Sequence, residues 1–272
     1  MAIVVLQHGE SDGIGRLGPA LRDQGHVLDI RRLDLSPVQG GRGVPVDYDN
    51  VSGVISLGGS MDVGDAGVPW MEAELAYLKG AHERGLPLIG ICLGCQMLAK
   101  ALGGEVGPME SSPGEFGFGE VNITVPGQTE TLLAGIQWTS RQWQAHGQEV
   151  KKLPEGAALL ANSRACRVQA WKLGLRTYGF QYHFESDRAD IDAFLADGWS
   201  RQLMERLGLS GGDVARQADE HYPVFERLGM RLCGNIATSL APSVPRLPGG
   251  GGGAEVLTTG QREHGGEKAA SA

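Results

Sequence analysis

The chain has 272 residues, with 24 Lys and Arg against 32 Asp and Glu and a formal charge of −8, which is length enough for one large domain or two small ones. It contains no basic run that would neutralise a nucleic-acid backbone and no apolar stretch of the roughly 20 residues a membrane helix requires, so nucleic acid and membranes are set aside as main partners. Residues 1–6 are apolar but lack the positive flank and cleavage site of a signal peptide; they are expected to form a first strand in a cytoplasmic protein, with Cys92, Cys95, Cys166 and Cys233 as reduced thiols.

Short β-rich runs alternate with helical patterns, which predicts a parallel sheet covered on both faces. Residues 3–6 make a buried strand, 15–24 a helix closed by Gly25, 27–33 a second strand and 54–57 a third, running into Gly58-Gly59. Residues 69–84 carry the strongest helix signal: Pro69 at the start, Glu72 and Glu74 in the first turn, Gly85 and Pro87 just past the end. Residues 88–91 form a short apolar strand leading into Cys92, and a helix continues over 97–102 to Gly103-Gly104. Val121, Ile123 and Val125, and then Tyr178, Phe180 and Tyr182, alternate with other residues at the period of a strand. Ile191, Leu195, Trp199, Leu203 and Leu207 recur every four residues as one helix, and Pro223 predicts two helices or a kinked one in the last helical region. Past Leu240 the prolines and the five glycines at 249–253 cannot bury enough apolar surface to offset ordering entropy. One domain over 1–242 and a disordered Gly/Pro-rich tail over 243–272 are therefore expected.

The chemistry concentrates in Gly90-Ile91-Cys92-Leu93-Gly94-Cys95-Gln96, where a strand gives way to a helix. A cysteine on that turn exposes its sulfur, and the helix N-terminus stabilises its thiolate. The bland alternative is a buried structural cysteine. Cys92-x-x-Cys95 as a redox pair lacks the usual intervening proline, and no second Cys/His pair stands at zinc-ligand spacing, so no metal is expected. A second segment, Tyr178 to Glu185, delivers His183 on a strand with Glu185 two residues on, a base together with a group to orient it. Strand ends of a parallel sheet converge on one edge, so cysteine and His-x-Glu at two such ends are compatible with a Cys-His-Glu triad.

Together "GICLGCQMLAKALGGEV", "GFQYHFE" and "SLGGSMDV" resemble the class I glutamine amidotransferases, close to stand-alone domains similar to the amidotransferase half of GMP synthetase. The resemblance runs from Ile3 to about Leu207 and takes in "GEFGFGEVNIT" and "HGQEVKKLPEGAALLANS". It implies a flavodoxin-like, mostly parallel α/β sheet with the triad at the carboxyl ends of the strands. It further implies Cys92 as nucleophile, His183 as acid and base, Glu185 as the orienting group, and the amides of Gly59 and Leu93 as the oxyanion hole. Gln96 would touch the substrate glutamine, and the neighbourhood of His146 and Gly147 would hold its amino-acid end. Two positions depart from the family pattern: Phe184 stands where proline is usual, and Gln148 where an acidic residue is usual.

The resemblance implies hydrolysis of glutamine to glutamate and ammonia through a cysteinyl thioester, with no cofactor. Because no Gly-Lys-Ser phosphate loop is present, acceptor chemistry is expected on a partner synthetase from another chain. The alternatives are a γ-glutamyl peptidase or a catalytically silent binding member. Gly13-x-Gly15-x-x-Gly18 with Asp34 matches a dinucleotide fingerprint, but residues 7–12 separate it from its strand, so it is expected to be a loop and helix start.

Overall fold

A computed structural model describes residues 1–240; the expected tail over 243–272 lies outside the described residues. The strands are β1 (Ala2–Gln7), β2 (Val27–Arg32), β3 (Val51–Ser56), β4 (Leu88–Ile91), β5 (Glu105–Pro108), β6 (Glu115–Ile123), β7 (Thr139–His146), β8 (Gln148–Lys152), β9 (Ala158–Asn162), β10 (Ala170–Leu173) and β11 (Thr177–Phe180). The helices are α1 (Leu17–Asp23), α2 (Met71–Glu83), α3 (Leu93–Ala101), α4 (Val125–Gln128), α5 (Arg188–Ala196), α6 (Gly198–Leu207) and α7 (Gly211–Ser239).

The main sheet has the order β2-β1-β3-β4-β11-β10-β9-β6-β7. The first five strands run parallel and form the flavodoxin-like core. The other four extend it antiparallel from β11, an extension the period-two runs in the sequence only hinted at. Side chains alternate across each parallel strand. Ile3 and Val5 of β1 pack with α1 and α7 residues such as Leu21 and Ile236 on one face. Val4 and Leu6 pack with α2 and α3 residues such as Leu78 and Leu98 on the other. A third apolar cluster joins Phe118 and Trp143 of the antiparallel extension to Phe194, Leu203 and Phe225 of α5, α6 and α7. None of the described helices is long and apolar enough to cross a membrane.

Two expectations change. The single helix drawn through 191–207 is broken at Asp197, whose backbone turns extended (φ −71°, ψ 146°) and whose carboxylate accepts the Ser200 amide at 3.0 Å to start α6. Conversely, α7 runs unbroken over 29 residues with Pro223 inside it. Pro223 is exposed, so the backbone carbonyl it leaves without a donor reaches water, and the helix tolerates it.

Candidate active site

β4 ends and α3 begins at Cys92, which sits at φ 51°, ψ −107°, a conformation costly for a residue with a Cβ. Its backbone is held from both sides: the Cys92 amide donates to the Phe180 carbonyl of β11 at 2.8 Å, and the Gly94 amide to the Leu57 carbonyl beyond β3 at 2.9 Å. The thiol donates to the Ala145 carbonyl of β7 at 3.6 Å. The other three cysteines are free thiols whose burial pushes them well above the ordinary thiol range. Cys92 and Cys95 pack in different apolar clusters, and the Cys95 sulfur accepts the Trp171 indole N–H at 3.2 Å, a packing role.

Just beyond β11, the His183 amide donates to the Trp143 carbonyl at 2.9 Å, anchoring that stretch to β7. Phe180, Tyr182 and Phe184 point into one core, and the alternate side chains of His183 and Glu185 point the other way. Phe184, in place of the proline, is fully buried with its ring 5.0 Å from that of Phe180, so apolar packing rather than a rigid ring fixes the backbone here. His183 Nδ1 donates to Glu185 Oε1 at 2.7 Å, while Nε2 has no hydrogen-bond partner among the described residues. Burial opposes a charged imidazole, but the charges of Glu185 and Cys92 outweigh it and raise His183 well above the ordinary histidine value. A protonated imidazole beside a sulfur is a proton donor already in place for a leaving group.

Cys92, His183 and Gly59 line one cavity with Ser11, Asp12, Ser60, Ala145 and the α5–α6 corner of Phe194, Asp197, Trp199 and Ser200. Its volume is about 30 Å³, far below that of a pocket that encloses a small-molecule ligand. Gly59 follows β3 so closely against α3 that an added Cβ would meet Leu93 Cδ2 at 2.6 Å. The Leu93 amide, at the first position of α3, has no intrahelical acceptor. Gln96, His146 and Gly147 lie outside this cavity. Gln96 Nε2 and His146 Nδ1 both donate to the Gln148 carbonyl, at 2.9 and 3.0 Å. Gly147 and Gln148 line an adjoining cavity of about 200 Å³ with Asp62, Trp199 and Arg206. Trp199 borders both cavities.

Several residues here carried no sequence signal. Asp12 is pushed up by burial, with Asp197 and Glu185 adding to the shift and His183 and His8 opposing it. Ser200 Oγ is fully buried without a partner among the described residues. Behind the Gly58-Gly59 turn, His8 donates from Nδ1 to the Gly58 carbonyl at 2.8 Å and from Nε2 to Glu74 Oε2 at 2.9 Å, with no exposure of either side chain. Both partners are acceptors, so the ring carries two protons. Burial opposes that charge, but Glu74 and the Gly58 carbonyl raise His8 above the ordinary value. Its stabilising effect is thus complete below the ordinary histidine value of 6.5 and is lost as pH climbs through the raised one. His8→Leu, which leaves the buried Glu74 without a cation and with only the Ser56 hydroxyl at 2.6 Å, is expected to cost about 3–5 kcal/mol at mildly acid pH. The gap from wild type should narrow as pH rises; urea unfolding at a series of pH values measures it, and a gap independent of pH would show that the ion pair does not stabilise the fold.

The glycine fingerprint at 13–18 has a different use. Gly15 (φ 47°) lies against the Glu185 carbonyl, where a Cβ would collide, and the Arg16 amide donates to that carbonyl at 2.8 Å. Asp34, where the discounted fingerprint would place a ribose-binding acid, is held by Arg32 at 2.7 Å.

A family model described as glutamine amidotransferase class-I matches residues 20–198, a span that includes Cys92, His183 and Glu185. The chain is 31% identical over 185 residues to a glutamine-hydrolyzing GMP synthase subunit of Natronomonas pharaonis, covering 67% of this chain and 86% of that protein. It is 33% identical over 143 residues to the glutamine-hydrolyzing GMP synthase of Porphyromonas gingivalis, but spans only 26% of that protein's length. Among solved structures, a glutamine amidotransferase from Methylobacillus flagellatus matches with a TM-score of 0.73 at 24% identity, over 88% of this chain and 94% of that one, a likeness of fold.

Proposed function

The chain belongs to the class I glutamine amidotransferases, and from that membership we propose that it hydrolyses the side-chain amide of glutamine, with Cys92, His183 and Glu185 as the catalytic triad. The observation that carries this is the 2.7 Å Nδ1 bond from His183 to Glu185, with Nε2 unpaired in the same cavity as a cysteine held in a strained turn. Cys92 thiolate attacks the carboxamide carbon, and the amides of Gly59 and Leu93 receive the developing oxyanion, a donor of that kind being worth about 3 kcal/mol. His183 gives its proton to departing ammonia, then takes one from the water that opens the γ-glutamyl thioester. Glutamate and ammonia leave.

The space beside Cys92 is small for a glutamine, and a shift of the corner of Phe194, Asp197 and Trp199 would make room for one. Displacing Trp199 joins the two cavities. The amide then lies at Cys92, and the amino-acid end lies near Gly147, Asp62 and Arg206, a carboxylate and a guanidinium of the signs that an α-ammonium and an α-carboxylate require. Gln96 and His146 act on the substrate through the Gln148 carbonyl both of them hold. We assign this activity to a domain over residues 1–242 and place the protein in the cytoplasm. As in the relatives named GMP synthase, ammonia would pass to a synthetase, here on another chain.

The test is turnover of glutamine against a γ-glutamyl dipeptide, with and without proteins captured from the native host. Glutamine is expected to be hydrolysed at least about tenfold faster; faster dipeptide cleavage would make the protein a peptidase. In the same assay Arg206→Met should raise KM for glutamine about 10–100-fold, the worth of a hydrogen bond to a charged group, with kcat little changed. An unchanged KM would move the amino-acid end elsewhere.

A further inference from the structure

The strongest unassigned chemistry lies where β6 begins and β7 ends. Glu115, His146 and Cys166 bring one carboxylate oxygen, one imidazole nitrogen and one sulfur within 4.8 Å of one another. His146 and Cys166 are buried, and the Glu115 side chain is 13% exposed. Hydrogen-bond direction says what this cluster lacks. His146 Nδ1 lies 3.0 Å from the Gln148 carbonyl, which only accepts, so Nδ1 carries a proton. His146 Nε2 lies 3.2 Å from Glu115 Oε2 and 3.2 Å from Gln144 Oε1.

The amide orientation of Gln144 is not free. Glu115 Oε2 accepts from Gln169 Nε2 at 3.0 Å, which turns Gln169 Oε1 toward Gln144 Nε2 at 3.1 Å. Gln144 therefore presents its oxygen to the imidazole. Nε2 thus faces two oxygens that both accept, and something positive has to stand between them: a second proton, or a metal ion. Cys166 points to the ion: its thiol otherwise donates only a long bond to the Val168 carbonyl at 3.5 Å, and a divalent ion would take that sulfur as a third ligand.

We propose that Glu115 Oε2, His146 Nε2 and Cys166 Sγ bind a zinc ion. Imidazole and thiolate together suit zinc better than magnesium or calcium, which prefer oxygen alone. Nδ1–H held by a backbone carbonyl is the outer contact that metal-bound histidines commonly have. Binding moves the thiol proton of Cys166, and the proton at Nε2 where one is present, to solvent. The occupied site then holds two positive charges against one thiolate and one carboxylate and is neutral, which suits its burial. Gln144 Oε1 supplies a neutral oxygen beside it. Glu115 and Gln144 also line a surface cavity of about 260 Å³, which is the way in. The ion would fix His146, and through it the Gln148 carbonyl that borders the proposed substrate cavity, so its role is to hold structure.

The experiment uses the full chain carrying Cys92→Ala, so that the catalytic thiolate cannot compete for metal. Protein stripped with a chelator is titrated with cobalt(II) and, separately, with zinc. Expected are one equivalent bound, an intense thiolate-to-cobalt charge-transfer band with tetrahedral visible bands, and a higher unfolding temperature with zinc. Cys166→Ser in that background should lose the charge-transfer band, and Glu115→Gln should weaken cobalt binding at least tenfold. Absence of the band in the parent overturns the site, whatever the variants do, and so does its survival in a folded Cys166→Ser. Should Cys166→Ser fail to fold, persistence of the band in Cys95→Ala and Cys233→Ala assigns it to Cys166, and its loss in either overturns the proposal. None of these readouts depends on glutamine turnover.

Discussion

Cys92→Ala is expected to lower glutamine hydrolysis by about four orders of magnitude or more, to the level left by binding and oxyanion contacts alone, while the protein stays folded. The size of the loss follows from covalent catalysis: without the sulfur no thioester forms, and direct attack of water on the amide has to replace it. The fold should survive because alanine fits the space, and because the turn is held by backbone bonds, the Cys92 amide to the Phe180 carbonyl and the Gly94 amide to the Leu57 carbonyl. Stability should even rise slightly if glycine takes the position, since φ 51° strains any residue with a Cβ. Steady-state glutaminase assay, circular dichroism and urea unfolding of Cys92→Ala and Cys92→Gly measure both halves. Hydrolysis within tenfold of wild type would transfer the reaction to another nucleophile.

Glu185→Gln is expected to lower kcat by about 10³–10⁴ with little change in KM, because an amide holds the ring less well and no longer stabilises the imidazolium. The variant also has a signature in pH. The Glu185 charge is the largest influence raising His183 against the opposing effect of burial, so its removal drops the imidazole's value. His183 must be protonated to release ammonia, and the alkaline limb of the rate profile should therefore move to lower pH. A profile that stays in place would reduce Glu185 to a packing role.

Much of this was legible in sequence because strands and helices impose short periods on it. β1 showed as an apolar run, α2 through its Pro69 start and Gly85 stop, and the turn at Cys92 through the glycines on either side. His183 and Glu185 stood out by their spacing of two, although they lie in the bend and turn past the end of β11 and not on the strand that spacing suggested. Boundaries fared less evenly: the start of α3 at the Cys92 turn was read correctly, whereas Val125, read as the end of a strand, opens α4. Asp197 hid its helix break, because the spacing of four from Ile191 to Leu207 survives a single extended residue. β7 and β8 went unseen, as their alternation is written partly in glutamines and histidine that are buried only once β6 and β5 pair with them.

Residue identity and spacing alone determined the parallel core, the turn that presents Cys92 and the resemblance that implied the chemistry. Tertiary structure decided what stands around that sulfur: Asp12 from the loop after β1, Ser200 and Trp199 from the α5–α6 corner, the His8–Glu74 pair beneath Gly58, and the meeting of Glu115, His146 and Cys166. The division has a physical cause. Side-chain direction along one element follows a local repeat that sequence displays, whereas contacts between residues tens of positions apart depend on strand order and register. Those are settled by which apolar faces are buried together, a property of the whole chain and of no single stretch.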